Sequence, residues 1–412
     1  MFPPPSRRHS ANNLLQTLLP GVLWLACVTP GHPEGNLAEA LRTGKPSLFL
    51  RYRYESVDQD GIAKKAQAST LKSNLGYQTG SWNSLGAYLE FEGVSRVGDI
   101  HYNLPAAVPA SVTRDRTRPV VADPEGAEIN QSYLMWKGTK NALKLGRQQI
   151  ILGNARFVGN VGWRQNEQTF DALRWDNSSW EKTSLSLIYL ENVNRIFRDN
   201  NRMNSWVADL AHRFDPGKLR AYTLLLNYKD ATGLQDRSTW GMRWEGTASQ
   251  KFKFLYNLDF ATQSDSGDNK TSVDAIYWCG EMEIGSPRIS ALLGIESLGS
   301  DNGKTAFATP LATLHAFNGW ADMFLATSVA GLRDSYAGLN TAPVKKVSGS
   351  LVFHRFEADF GGTDYGSETD AVVTWAALEG MQLGLKYADF NAETASGLKD
   401  VSKFWLWTQY KI

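Results

Sequence analysis

The sequence predicts an all-β fold: a transmembrane antiparallel β-barrel of about 18 strands, with long extracellular loops and short periplasmic turns. Three observations lead there. From Ser47 onward polar and apolar residues alternate with period two in stretches of about nine to thirteen residues, long enough to cross a bilayer at a tilt. Connections alternate between short and long: GSWN (80–83), KGTK (137–140), NSSWE (177–181), DPGK (215–218), GSP (285–287) and LEG (378–380), against 96–126 and 151–167. All 15 prolines fall in the N-terminal segment or in expected turns and loops, as an unbroken ladder of strands requires, while Trp136, Trp175, Trp206 and Trp240 lie near strand ends, where an interfacial girdle belongs. A soluble sandwich would also alternate. Loop asymmetry and the aromatic girdle favour the membrane barrel.

Taken in order, Arg7, Arg8 and His9 precede the apolar run LLQTLLPGVLWLACVT (14–29), the pattern of a secretory signal, so residues 1–28 are expected to be removed and 29–46 to form a short periplasmic segment before a barrel at 47–412. Cys27 raises the alternative of a lipidated start, but Trp24 stands where such signals carry a small aliphatic residue; a buried N-terminal helix is a further alternative. Once the signal is removed, only Cys279 remains and no intramolecular disulfide can form.

Strands are expected at 47–57, 66–79, 84–95, 127–136, 141–150, 168–177, 182–192, 204–214, 218–229, 237–247, 250–262, 271–284, 288–298, 346–358, 368–377, 381–390 and 402–412. In SLFLRYRYE, Leu48, Leu50, Tyr52 and Tyr54 share one face while Arg51, Arg53 and Glu55 share the other. QKFKFLYNLDF and MQLGLKYADF repeat the pattern. That set is odd in number, whereas a bacterial barrel with both termini on the periplasmic side needs an even one. GLRDSYAGLN (331–340), followed by TAPVK, supplies the missing inward-running strand and leaves 299–330 as a long outer loop that can fold into the lumen.

The net charge is +1, from 43 basic and 42 acidic residues, so no global field favours nucleic acid and any functional charge must be local. It is local in GRQQIILGNARFVGNVGWRQNEQTFDALRW (146–175), where four arginines meet only Glu167 and Asp171. By alternation Arg51, Arg53, Lys72, Lys144, Arg174, Arg243, Lys253 and Lys386 face the lumen, and Arg156 and Arg164 on the outer loop 151–167 can fold inward to complete an arginine ring. Guanidinium groups stay charged and present a planar fork suited to carboxylate, so this set predicts an anion pathway. The alternative is that these cations pair with Glu55, Glu90, Glu92, Glu167, Asp171, Asp209 and Glu245 and only set pore shape. Arg147 shares parity with Leu143 and Leu145 unless a bulge turns it.

LRYRYESVDQDG (50–61), ASTLKSNLGYQTG (68–80), LGRQQIILGNARFVGNVGWRQNEQTFDALRW (145–175), TPLATLHAFNGWADMF (309–324), GLRDSYAGL (331–339) and LKYADFNAE (385–393) together resemble the alginate-export family of outer-membrane β-barrel porins. The resemblance implies an eighteen-stranded, monomeric barrel in the outer membrane of a Gram-negative bacterium, surrounded by lipid. It would pass anionic solutes such as uronate oligomers or polymer without energy input and without a cofactor. The C-terminal strand 402–412 places Phe404, Leu406, Thr408, Tyr410 and Ile412 on one face and is similar to the signal read by the outer-membrane assembly machinery, although that signal prefers a final aromatic residue.

Other constellations are thin. His101, His212, His315 and His354 lack metal-ligand spacing, so no metal site is expected; the acidic runs VDQDG and SDSGDN read as hydrophilic loops. Ser348, Ser350 and His354 share a strand face, but nothing marks a nucleophile elbow, so no catalysis is expected. A general or small-organic-acid uptake porin, or a structural barrel plugged by 299–330, are the alternatives to uronate conduction.

Overall fold

The computed structural model describes residues 36–99, 101–108, 114–229, 234–247, 252–267, 269 and 271–412. The expected signal 1–28 with Cys27, and parts of the acidic run SDSGDN, lie outside the described residues. Helix α1 (Leu37–Arg42), capped by Asn36, leads into the strands. These are β1 (Lys45–Gln59), β2 (Ala66–Gln78), β3 (Leu85–Arg96), β4 (Gly126–Lys137), β5 (Asn141–Gln148), β6 (Thr169–Asn177), β7 (Thr183–Asn194), β8 (Asn200–Phe214) and β9 (Gly217–Leu226). There follow β10 (Arg237–Thr247), β11 (Lys253–Asp265), β12 (Asp274–Gly285), β13 (Ile289–Leu298), β14 (Ser300–Asp301), β15 (Thr305–Ala306), β16 (Leu332–Thr341), β17 (Val347–Glu357), β18 (Asp364–Leu378), β19 (Met381–Ala392) and β20 (Val401–Lys411).

Eighteen of these strands form one antiparallel sheet, each paired with its chain neighbours, and β1 pairs with β20 from Phe49↔Lys411 to Gln59↔Val401 to close it. The strand inferred at 331–340 is β16, and β14 with β15 forms a small hairpin inside the long loop that follows β13. One expectation needs correction: β1 starts at Lys45 and so contains Pro46. Pro46 is tolerated because the β20 ladder begins only at Phe49, leaving that edge of the strand without a partner for the missing N–H. Strands β8 and β18 also begin earlier than expected, at Asn200 and Asp364.

Polarity is inside out. Leu134 and Phe353 on the outer face are 62% and 51% exposed, whereas Arg53 and Lys72 on the inner face are fully buried. A water-soluble sandwich would bury the leucines, so this arrangement fits a lipid-facing wall. Inside, apolar residues from three inward loops (Tyr102, Leu104, Phe157, Val158, Phe307 and Leu311 among them) pack against Phe356 and Phe390 of the wall as one core. The loops therefore occupy part of the lumen.

Candidate functional site

Alternation on β1 sends Leu50, Tyr52 and Tyr54 outward and Arg51 and Arg53 inward, onto the loop that joins β5 to β6. Arg51 donates to Gln165 Oε1 at 2.9 Å, to the Gly162 carbonyl at 2.9 Å and to the Arg164 carbonyl at 2.5 Å. Arg53 donates to the Trp163 carbonyl, pairs with Asp123 and lies 3.6 Å from Glu55. Lys72 bridges Glu92 (2.7 Å) and Glu167 (2.6 Å). Arg164 reaches back from the loop to Glu55 at 3.2 Å and Asp322 at 2.6 Å. On this side of the barrel the cations fasten loop to wall.

A second loop, 307–331, crosses the lumen beside the first. The Gly159 N–H donates to the Leu311 carbonyl (2.9 Å) and the Thr313 N–H to the Ala155 carbonyl (3.0 Å). Arg156 joins both loops to β13 through Glu296 (2.7 Å), Thr309 (3.2 Å) and Asn318 (3.1 Å). Asp322 receives Arg164 and Lys403 (2.7 Å) on one oxygen and His315 Nδ1 (2.6 Å) on the other. Lys386 donates to His315 Nε2 at 2.7 Å; an accepting Nε2 requires the neutral Nδ1–H tautomer, which then donates to Asp322. The Lys386 ammonium lies 3.8 Å from the Trp320 ring centre and 4.3 Å from that of Trp163. From β18, the strand next to the one that carries Lys386, Asp370 accepts from the Trp320 N–H (3.0 Å) and Glu368 from the Ala321 N–H (2.6 Å).

Electrostatics follow from this geometry. Burial pushes the His315 ring well below its usual value, Asp322 opposing and Lys386 assisting, so the ring is neutral at neutral pH. Burial resists the charge on Asp322, yet His315, Lys403 and Arg164 together hold its carboxyl well below the usual carboxylate range. Asp123 is lowered likewise: burial opposes, and Arg53 and Arg164 prevail. Burial also disfavours the Arg164 cation, but Glu55 and Asp322 raise its value above normal.

The far wall differs. A narrow cleft separates residues 152–158 of the first loop from β8–β11, and Asp209, Arg220, Tyr222, Arg243 and Asp259 line it. Arg220 and Arg243 are direct cross-strand partners, an arrangement that like charges disfavour. Arg220 pairs with Asp209 at 2.5 Å; Arg243 pairs with Glu245 at 2.7 Å and lies 3.6 Å from Asp259. Arg220 Nε and Arg243 Nη1 nevertheless have no hydrogen-bond acceptor among the described residues. Arg220 also borders a basin at the periplasmic turns with Lys140, Lys182, Arg213 and Lys218. Cationic groups thus continue from the cleft to the periplasmic mouth.

The single arginine ring expected from the sequence is not formed. Arg51, Arg53, Arg164 and Lys386 come together, but Arg156 sits against β13 and Arg243 on the far wall. Lys144 lies over the Tyr133 ring (4.9 Å), Arg174 pairs with Asp176 (2.9 Å) and Lys253 pairs with Glu283. A recurrent triplet explains part of this: Arg53-Tyr54-Glu55, Arg174-Trp175-Asp176 and Arg243-Trp244-Glu245 each place cation and acid two residues apart on the inner face, with an aromatic residue between them on the other face. Arg147 stays in unshifted register with Leu145 and pairs with Asp171 at 2.8 Å. Sequence reasoning missed Arg220, Lys403, Asp123 and Asp322. The parity of Lys218, Arg220 and Tyr222 would have flagged the first; nothing local flags the acids. Ser348 engages Thr374 (2.7 Å) and His354 engages Asp334 (2.9 Å), so they do not pair as nucleophile and base. No metal-holding group of His, Cys, Asp and Glu occurs among the described residues.

The profile of the alginate export family matches residues 56–357, nearly three quarters of the chain. Among solved structures, Acinetobacter baumannii OccAB4 superposes with a TM-score of 0.72 at 13% identity, covering 90% of this chain and 98% of that one. Pseudomonas aeruginosa OpdK, crystallised with vanillate, gives 0.70 at 15% identity, covering 90% and 99%. At such identities the likeness carries the architecture alone. No curated protein matches significantly by sequence. The family and the structural neighbours are porins rather than enzymes, and the barrel belongs in the outer membrane of a Gram-negative bacterium. The chain is therefore a member of the alginate-export family of outer-membrane β-barrel porins.

Proposed function

We propose that this barrel passively conducts small carboxylated solutes, uronate oligomers among them, along its β8–β11 wall. The observation that carries this reading is the Arg220–Arg243 pair: two guanidinium groups opposite one another on neighbouring strands, Arg220 lining both the narrow cleft and the basic periplasmic basin. A carboxylate passing between them would satisfy both forks and relieve their repulsion. The crystallisation of OpdK with vanillate, an aromatic carboxylate, is in keeping with a small organic acid as the solute. Arg51, Arg53, Lys72, Arg156 and Arg164 then shape the passage by holding the loops, Arg243 with Arg220 selects, Lys144 and Lys386 add cationic groups to the lumen, and Arg174 and Lys253 stay tied to Asp176 and Glu283.

The barrel works in this reading as a monomer, inserted by the assembly machinery through β20. Reversal potential under a salt gradient, with liposome swelling in galacturonate, tests it. Anion preference and galacturonate entry, both weakened in R220Q/R243Q, are the expected results; a cation-selective barrel that excludes galacturonate would sink the proposal. A plugged structural barrel is the second reading, favoured by the apolar core that the inward loops build in the lumen.

A further inference from the structure

The segment 318–322 is held in a demanding conformation. Asn318, Gly319 and Asp322 have φ of 56°, 81° and 63°, the left-handed region, and a Cβ on Gly319 would collide with the Glu368 carboxylate. Neighbouring strands and the inward loops pin it there: Asp370 and Glu368 on β18 hold its N–H groups, while Arg164, His315 and Lys403 on β20 hold the Asp322 carboxylate.

We propose that the Arg164–Lys403–His315 pocket is a carboxylate-binding site which the resting chain fills with its own Asp322, and that an incoming carboxylated solute frees the loop by taking that place. The chemical class follows from the donors. One oxygen takes two cations at 2.6 and 2.7 Å and the other takes a ring N–H at 2.6 Å, a two-oxygen pattern that a planar carboxylate fulfils. Behind the ring, Lys386 donates to His315 Nε2, which leaves the Nδ1–H as the donor turned toward the pocket. Asp322 is tethered through a left-handed residue, whereas a free solute carries no such constraint, so the exchange is one of like for like with release of loop strain. Residues 309–324 then act as an internal stopper that recognises the solute by imitation.

The proposal rests on the reading of the barrel as a carboxylate channel, and the test separates the two. Single-channel recording of refolded protein in planar bilayers compares the parent with D322N, D322E and K403Q, with and without galacturonate. D322N should raise the open fraction roughly tenfold and lose its response to galacturonate, while D322E keeps both the closed state and the response. K403Q, which weakens the pocket from the wall and leaves the loop's own sequence unchanged, should also open the barrel, so a misfolded D322N does not end the test. D322N and K403Q barrels as closed as the parent, with anion preference intact in the residual current, would overturn the internal stopper and leave the channel reading standing. Open D322N barrels that prefer cations would overturn the carboxylate reading and this proposal with it.

Discussion

Two sides of the same lumen use arginine in opposite ways. Next to the β1–β20 seam, Arg51, Arg53 and Arg164 spend their donors on loop carbonyls and on Asp123, Glu55 and Asp322. On the β8–β11 wall, Arg220 and Arg243 pair with acids of their own wall, Asp209, Glu245 and Asp259, and among the described residues grip no loop. The first set has become framework, and the second is the one that the proposed solute would meet. An arginine-rich lumen is therefore not in itself a selectivity filter; what separates the roles is whether a loop has come down to meet the side chain.

The sharpest way to break this contrast is R164M, which takes a buried cation from Glu55 and Asp322 and leaves them to Arg53, Lys403 and His315. A loss of about 3–5 kcal/mol is expected, read as a lowered unfolding midpoint in denaturant. Next is G319A, where both the left-handed backbone and the Glu368 carboxylate oppose a side chain; about 1–3 kcal/mol should be lost, and inward-loop proteolysis should accelerate. R220Q/R243Q should do the reverse, changing stability by under about 1 kcal/mol while lowering the anion-to-cation permeability ratio several-fold. If that pair proved as damaging to stability as R164M, the distinction between the two walls would be lost.

The smallest effect is that of pH on the loop. The value of His315 in the folded state lies below its unfolded value near 6.5, so the folded loop binds fewer protons, and its stability is lost progressively as pH falls below about 6.5. Asp322, also lowered, adds to the loss only once pH falls below about 4. The charged groups facing the ring are Asp322, Lys386 and Arg164. Melting curves at about pH 7.5 and 5 should show a modest decrease for the parent and a flatter profile for H315Q.

The wall was legible because one rule, period two, serves both the local backbone and the two environments it separates. Parity placed Lys72 and Lys386 inside, and a topological count recovered β16, whose sequence GLRDSYAGLN alternates weakly. What parity cannot supply is partnership. Asp123 meets Arg53 across 70 residues and Asp322 meets Arg164 across 158, through loops whose paths have no periodic signature. The Arg-aromatic-acid triplets were open to reading and were missed, because attention to uncompensated charge overlooks an acid placed two residues further along.

The seam has one more consequence. Arg51 and Arg53 belong to the first strand, Lys403 to the last, and the loops they grip lie between them in the chain. Arg53, fully buried in the closed barrel, lies beside an open edge until the last strand pairs with the first. The cation cluster around Asp322 is complete only when the cylinder is shut, because Lys403 comes with the strand that shuts it.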